Sequence, residues 1–422
     1  MTSKNTDKIG NYRWTICALI FFATTINYLD RQVIGLLKPD LAKSFHWNET
    51  DYANIVFAFQ CAYAIGLVIA GRIIDRIGTR LGYAASLIIW SLAAMAHALA
   101  KGTLGFGVAR AALGLGESAN FPAAIKSVTE WFPKRERALA TGIFNSGANI
   151  GAVAAPLIVP WLAISYGWQM AFIVTGAIGF LWLIFWFIFY EVPEKQKRLS
   201  EAELGYILSD PISSDTSKVS WGKILSYRQT WAFILGKFFT DPVWWFYLFW
   251  LPSFLSNYGL SLKEFGWPLV VIYTSTTIGS VYGGYLSSSL IKKGWPDWKA
   301  RSFTMLIFAI LIIPVMFAQV SSLWVSISLI SLAAASHQAW SANIYTTVSD
   351  MFPKKAIATV TGIGGMAGAI GGMGIAKLAG WLLDTFGQAK GYFILFIICG
   401  TAYIFAWLVF NLLAPKMKKV EF

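Results

Sequence analysis

Charge is scarce in this chain, and acid is scarcer than base. Of 422 residues 13% are charged, with 21 Asp and Glu against 34 Lys and Arg. A soluble domain carries roughly 25%, so a water-solvated surface over most of the chain is excluded. Cysteine is rarer still. Cys17, Cys61 and Cys399 lie far apart in apolar segments. They build neither a disulfide framework nor a metal-ligand spacing, and read as small apolar packing residues. No phosphate-cradling glycine loop followed by Lys-Ser/Thr occurs, so ATP drive is not expected. No nucleophile-plus-base set is visible. The expected reading has no cofactor, no metal and no enzymatic activity.

What the chain has in abundance is apolar length. It is 56% hydrophobic, with mean hydropathy +0.57. Twelve stretches can cross a bilayer at about 20 residues per span: 14–36, 52–71, 81–100, 103–128, 138–163, 168–190, 229–256, 265–290, 300–319, 323–346, 357–383 and 390–414. The expected fold is an all-α membrane protein of twelve transmembrane helices. The expected organisation is an N-terminal six-helix half (1–190), a cytoplasmic linker (191–228) and a C-terminal six-helix half (229–422). The linker is polar, with Lys195, Lys197, Arg198, Glu201, Glu203, Asp210, Pro211 and a serine-rich run.

The halves share a repeat. Thr129-Glu130-Trp131-Phe132-Pro133-Lys134-Arg135 returns as Ser349-Asp350-Met351-Phe352-Pro353-Lys354-Lys355, 220 positions later. Ala138/Ala358, Thr141/Thr361, Gly142/Gly362, Ile143/Ile363, Ile150/Ile370 and Gly151/Gly371 then match without a gap. Two equivalent membrane halves around a central site are a common secondary-transporter design. Glycines such as Gly362, Gly364, Gly365, Gly368, Gly371, Gly372 and Gly374 read as close helix-packing surfaces.

The net charge of +13 raises the question of nucleic acid, and its placement argues against it. Basic residues fill alternate loops: Arg72/Arg76/Arg80, Lys134/Arg135/Arg137, the linker, Lys292/Lys293/Lys299/Arg301, Lys354/Lys355 and Lys416/Lys418/Lys419, with Lys4, Lys8 and Arg13 before the first span. The loops between hold scattered lysines such as Lys38, Lys43, Lys101, Lys263 and Lys390. Cytoplasmic loops retain Lys and Arg, so both termini and the linker are expected inside. The first apolar segment contains Asp30 and Arg31 and lacks a small-residue cleavage site, unlike a cleaved signal.

Polar residues within the spans are the candidates for function, because lipid cannot satisfy them. Span 1 carries Asn27, Tyr28, Asp30 and Arg31. Span 4 carries Arg110, Glu117 and Asn120, and span 5 Asn145 and Asn149. Span 7 carries Lys237, Asp241, Trp244, Trp245 and Tyr247. Span 10 carries His337, Gln338, Trp340, Ser341 and Asn343. Asp30 and Arg31 are adjacent, so on a helix they point about 100° apart and each needs its own partner. Arg110 and Glu117 share a face two turns apart, as Lys237 and Asp241 do one turn apart.

Burial makes a carboxyl hold its proton, and a nearby arginine loosens it. Asp30 and Glu117 have both influences available. An anion competing for the arginine would therefore link its own binding to proton uptake. The plainer alternative is that these acids only pair with Arg110 and Arg31 to hold spans 1 and 4 together. Arg31 suits a substrate carboxylate, being permanently charged and bidentate. His337 stands 220 residues after Glu117, and fits proton carriage, hydroxyl binding or simple packing. Lys237 and Asp241 fit a structural ion pair equally well. Trp245 and Trp340 have polar neighbours, and an indole face beside hydrogen-bonding groups suits a sugar-like solute.

The loop Gly71-Arg72-Ile73-Ile74-Asp75-Arg76-Ile77-Gly78-Thr79-Arg80 resembles the cytoplasmic signature of the major facilitator superfamily. That resemblance implies two pseudo-symmetric six-helix halves, with Asp75 and Arg76 in a gate latching them. Thr79 departs from a commonly basic position. In the second half Ser288 stands where the acid would be, implying a weaker latch there. Asn27-Tyr28-Leu29-Asp30-Arg31 and Arg110-Ala111-Ala112-Leu113-Gly114-Leu115-Gly116-Glu117-Ser118-Ala119-Asn120-Phe121-Pro122 resemble the anion:cation symporter family. That likeness implies Arg31 as the carboxylate ligand, Asp30 and Glu117 as proton-linked acids, Arg110 modulating Glu117, and Tyr28, Tyr63 and Trp340 lining the site. Thr240-Asp241-Pro242-Val243-Trp244-Trp245-Phe246-Tyr247-Leu248-Phe249-Trp250-Leu251-Pro252 is most similar to bacterial hexuronate transporters.

The expectation is a monomeric, proton-coupled importer of glucuronate or galacturonate in a bacterial cytoplasmic membrane. Its expected substrate ligands are Arg31, Tyr28, Tyr63, Arg110, Asn149, Lys237, Trp245, His337, Gln338 and Trp340. Rival readings are a carrier of an aldonate, aldarate or aromatic acid, and a sugar-acid sensor that does not transport.

Overall fold

Helix is the structure that lets a chain this apolar satisfy its backbone inside lipid, and helix is what forms. A computed structural model describes residues 9–209, 220–264 and 266–421, with no β-strand among them. Lys4, Lys8, Asp210, Pro211 and the serine-rich run fall outside the described residues, as do the side chains of Lys134, Arg135, Ala138, Lys354, Lys355 and Ala358.

The first half comprises α1 (Tyr12–Phe45), α2 (Glu49–Ile77), α3 (Thr79–Ala96), α4 (Thr103–Glu117), α5 (Asn120–Trp131), α6 (Lys134–Tyr166) and α7 (Trp168–Phe189). Two short helices follow, α8 (Glu201–Ile207) and α9 (Trp221–Leu225). The second half comprises α10 (Arg228–Ser256), α11 (Gly266–Lys292), α12 (Asp297–Ile312), α13 (Leu323–Met351) and α14 (Lys354–Leu413). α14 holds two spans joined at Gly387, whose φ of 74° breaks the helical path. α4 and α5 together make one span, so each half has six.

The expected span 103–128 is broken at Ser118–Ala119. Pro122 explains the break: it has no N–H for the carbonyl four residues earlier, and its ring crowds that carbonyl. The residue in question is Ser118, next to Glu117. Among the described residues, six helical stretches are apolar and long enough to cross a membrane on composition alone. α1, α4 and α10 are not among them, and they carry the intramembrane charges.

The packing repeats between halves. α1 lies against α6, α2 against α4 and α3 against α7; α10 lies against α14, α11 against α13 and α12 against α14. Glycine makes these contacts close. A Cβ at Gly147 or Gly151 would collide with the α1 backbone. Gly371 serves the α10 backbone in the same way, and Gly364, Gly368 and Gly372 make room for the Phe233, Asp241 and Trp245 side chains of α10, whereas Gly362, Gly365 and Gly374 have open space beside them, which corrects the expectation for those three.

The halves meet through α2 and α14, α6 and α11, and α1 and α10. Their hydrogen bonds gather at the end remote from the termini. Asp384 of α14 accepts the backbone N–H groups of Glu49 (2.9 Å) and Thr50 (2.7 Å). It thus caps the start of α2, where unpaired N–H groups and the helix dipole favour an anion. Gln388 donates to Glu49 (2.9 Å) and Lys377 to Asn54. Lys38 is no loop lysine: α1 continues past the expected span, and Lys38 is buried with its ammonium on Glu49 (2.6 Å). At the terminal end no hydrogen bond or ion pair joins the halves among the described residues. The far end is thus tied across the halves, and among the described residues the terminal end carries no such tie.

Replacing Asp384 by Ala removes the cap, worth about 1 kcal/mol. A cysteine at Ala53, buried beneath Gly380, is then expected to react about fivefold faster with a membrane-impermeant thiol reagent. An unchanged rate would show that Asp384 does not hold this end shut.

Candidate functional site

Helix geometry turns two adjacent residues of α1 in different directions. Arg31 points to α4, where its Nε and Nη2 both reach Glu117 Oε2 at 2.8 Å. Nη2 also donates to Asn27 Oδ1 (3.3 Å), one turn back. Asp30 points elsewhere, beside the Thr175 hydroxyl of α7, and no cation contacts it among the described residues. The expected divergence of this pair is found, and Arg31 has its expected partner, but no partner is found for Asp30 among the described residues.

Around Arg31 is an aromatic wall. Its guanidinium carbon lies 4.7 Å from the Tyr28 ring, 4.9 Å from Tyr63, 5.3 Å from Phe59 and 5.5 Å from Trp245. Trp245 comes from α10, so the wall is built by both halves. Such rings attract a desolvated cation. Tyr28 and Tyr63 are half-buried, while Arg31 and Glu117 are buried. Phe59 had no polar signature in the sequence and was not foreseen.

Arg110 is wholly buried, yet it pairs with neither acid. Its Nη2 donates to the backbone carbonyl of Arg31 (2.7 Å), and Phe59 and Phe249 cover it at 4.9 and 5.6 Å. Arg110 Nε and Nη1, Glu117 Oε1 and both Asp30 oxygens have no hydrogen-bond partner among the described residues. The cluster thus holds two guanidiniums and two carboxyls, of which a single oxygen, Glu117 Oε2, is engaged by a cation.

The second half supplies Lys237, whose ammonium lies 2.8 Å from Asp241 Oδ1 and 4.2 Å from the centre of the Tyr345 ring. His337 and Trp340 do not join the Arg31 cluster. The Tyr403 hydroxyl of α14 lies 3.1 Å from the Thr240 carbonyl and shares a hydrogen bond with His337 Nδ1. The His337 ring stacks on Trp244 at 5.3 Å, and Trp340 meets Tyr403 edge-on at 5.5 Å. Asn149 and Gln338 are half-buried. Asp75 pairs with Lys126 of α5 (2.9 Å) in its own half, and Arg76 is exposed.

These are the parts of a carrier: two packed halves, tied at one end, with an ionic cluster in their joint. The family model described as "Major Facilitator Superfamily" matches residues 20–376. The chain belongs to the major facilitator superfamily. It is a multi-pass membrane transporter and not an enzyme. It is 34% identical over 414 residues to the hexuronate transporter of Escherichia coli K12, covering 95% of each chain. It is 37% identical over 287 residues to the galacturonate transporter of Dickeya chrysanthemi, covering 66% of this chain and 82% of that one. A bacterial homologue of the human lysosomal transporter Spinster, solved in an inward-facing and occupied conformation, superposes with a TM-score of 0.78 at 18% identity. The coverage is 96% of this chain and 98% of that one. At that identity the likeness speaks for the superfamily fold.

Removing Glu117 leaves a buried, unpaired guanidinium in this superfamily member. Glu117→Ala is expected to cost about 3–5 kcal/mol, read as a lowered thermal unfolding midpoint of the unliganded protein in detergent. A midpoint equal to that of the wild type would remove the pair from the stability of the fold.

Proposed function

We propose that this transporter imports a hexuronate, glucuronate or galacturonate, together with protons by alternating access. The observation that carries the proposal is Arg31, enclosed by aromatic rings from both halves and bonded to a single oxygen of Glu117. A substrate carboxylate offers two oxygens in the geometry a guanidinium prefers. By taking Arg31 it releases Glu117 into a site with little water. A carboxylate without its cation there takes up a proton. Binding of the anion and uptake of the proton are thus one exchange of partners. Asp30, buried with no cation in contact, is the second proton-linked acid. Sugar C–H faces find Trp245, Tyr28 and Tyr63, and hydroxyls find Asn149 and Gln338.

The exchange also explains alternating access. With neither proton nor substrate, Arg31–Glu117 neutralises the joint. With both, the carboxylate takes over from Glu117. Either state is neutral enough to pass through an occluded form; a proton or substrate alone is not. The placement of Lys and Arg supports a cytoplasmic side for both termini, in a bacterial inner membrane. The likeness to hexuronate and galacturonate transporters supports the substrate class. The protein is taken to act as a monomer.

In proteoliposomes, radiolabelled glucuronate is expected to accumulate when an inward proton gradient is imposed. Arg31→Ala is expected to lower uptake at least about tenfold, the loss of one charge-assisted hydrogen bond. Wild-type uptake by that variant would refute the carboxylate assignment. Glu117→Gln, which keeps the shape and loses the titration, is expected to exchange glucuronate across the membrane but not to accumulate it. Accumulation driven by pH in that variant would take Glu117 out of the coupling.

A further inference from the structure

Along α10 the residues Lys237, Asp241 and Trp245 recur every fourth position, so they form one stripe. The upper member lies against Arg31, 5.5 Å from its guanidinium. Asp241 is one turn away, about 6 Å along the axis. The stripe therefore runs from the carboxylate end of the site toward the terminal end. Tyr345, whose ring lies 4.2 Å from the Lys237 ammonium, is exposed. The face of α10 that meets Arg31 through Trp245 is thus the face that carries the ion pair one turn on.

Within the ion pair the two partners are placed differently. The Lys237 side chain is 4% exposed and that of Asp241 19%. Lys237 holds Oδ1, and no hydrogen bond reaches Oδ2 among the described residues. Behind it stands Gly368, where a Cβ would collide with Oδ2. The carboxylate is clamped by a lysine at Oδ1, its Oδ2 lies in the space that the missing Gly368 side chain leaves, and part of the side chain stays exposed. A helix-packing ion pair would bury both partners and use both oxygens.

We infer that Asp241, clamped by Lys237, makes the site reject a solute bearing a second carboxylate while accepting one with hydroxyls at that end. This rests on the assignment of the substrate carboxylate to Arg31. A fixed carboxylate oxygen accepts hydrogen bonds from sugar hydroxyls. It repels a like charge brought beside it, and in a partly desolvated cavity that repulsion is strong. The group offered to a solute differs at the two ends, the Arg31 guanidinium at one and, of the Lys237–Asp241 pair, the more exposed carboxylate at the other. A monocarboxylate enters in one orientation. An aldarate, with a carboxylate at each terminus, meets Asp241 whichever way it enters.

The test is binding by thermal shift to the purified full chain in detergent, using two matched pairs. Glucarate is glucuronate with its aldehyde carbon oxidised to a carboxylate, and galactarate is galactonate with its terminal alcohol so oxidised. The readout is the ratio of dianion to monoanion Kd within each pair. In the wild type the dianion is expected to bind at least about tenfold more weakly. Asp241→Asn leaves the Lys237 charge uncovered and is expected to lower the ratio about tenfold or more. Asp241→Glu restores the charge and is expected to restore the ratio. Lys237→Gln leaves the acid uncompensated and is expected to raise it. A folded Asp241→Asn protein with the wild-type ratio overturns the inference. Should that variant fail to fold, an unchanged ratio in Lys237→Gln does the same. A wild type that binds galactonate but neither hexuronate overturns the substrate reading alone, because the galactonate pair still decides the role of Asp241. A wild type that binds none of the four acids overturns both.

Discussion

An unpaired guanidinium inside a bilayer is costly, and for Arg31 Glu117 supplies the counter-charge. The Arg31–Glu117 pair is buried where water cannot reach to share the charge. Nearly everything else at the joint is arranged about it. Arg110 holds the Arg31 backbone carbonyl, Asn27 holds a guanidinium nitrogen, and rings from α1, α2 and α10 cover the cation. Buried ion pairs rarely add net stability, since desolvation consumes the Coulombic gain. Such a pair persists where its partners have another use. The incomplete satisfaction of Glu117, with one oxygen doubly bonded and the other bare, is what an exchangeable partner looks like.

The two halves repeat in helix packing and diverge in chemistry. Glu117 and His337 occupy matching places, yet one meets an arginine and the other a tyrosine and a tryptophan. The cationic function of the second half moves to α10, as Lys237 with Asp241. Symmetry supplies the rocking scaffold, and the departures from it give the cavity a polarity. A strictly symmetric site would bind an asymmetric anion in two orientations equally well.

Much of the fold was legible because lipid imposes a simple pattern: long apolar runs, basic loops on alternate sides, and a repeat with no gap. The break in the fourth span was written in Pro122 but hidden by the apolar run around it. The site was legible wherever it used charge inside a span, so Arg31, Glu117 and Lys237 stood out. Phe59 did not, because an apolar ring in a membrane helix carries no signal until a cation is found over it. Lys38, Glu49 and Asp384 were illegible for another reason. They look like ordinary loop charges, and only the tertiary contact of α2 with α14 turns them into a closure. His337 and Trp340 were grouped by helical spacing with the cavity residues, yet Tyr403, 66 positions beyond His337, draws them into the second half.

Site and closure are mechanically joined through one pair of helices. On α1, Arg31 is followed by Gly35 one turn later and by Lys38 beyond it. On α10, Trp245 is followed by Leu248 and Phe249. Trp245 lies over Arg31; Gly35 packs on the carbonyl of Leu248; the Tyr52 hydroxyl of α2 donates to the carbonyl of Phe249 (2.9 Å). The absence of a side chain at Gly35 lets the two backbones approach so closely that they cannot slide independently. Opening the far end by separating α1 from α10 therefore pulls Trp245 off Arg31 and breaks the aromatic wall. A cation that loses its wall gains water, and its need for Glu117, or for the carboxylate proposed to replace it, falls. The state of the closure thus sets how tightly Arg31 holds its anion. That is the differential affinity between two conformations on which alternating access depends.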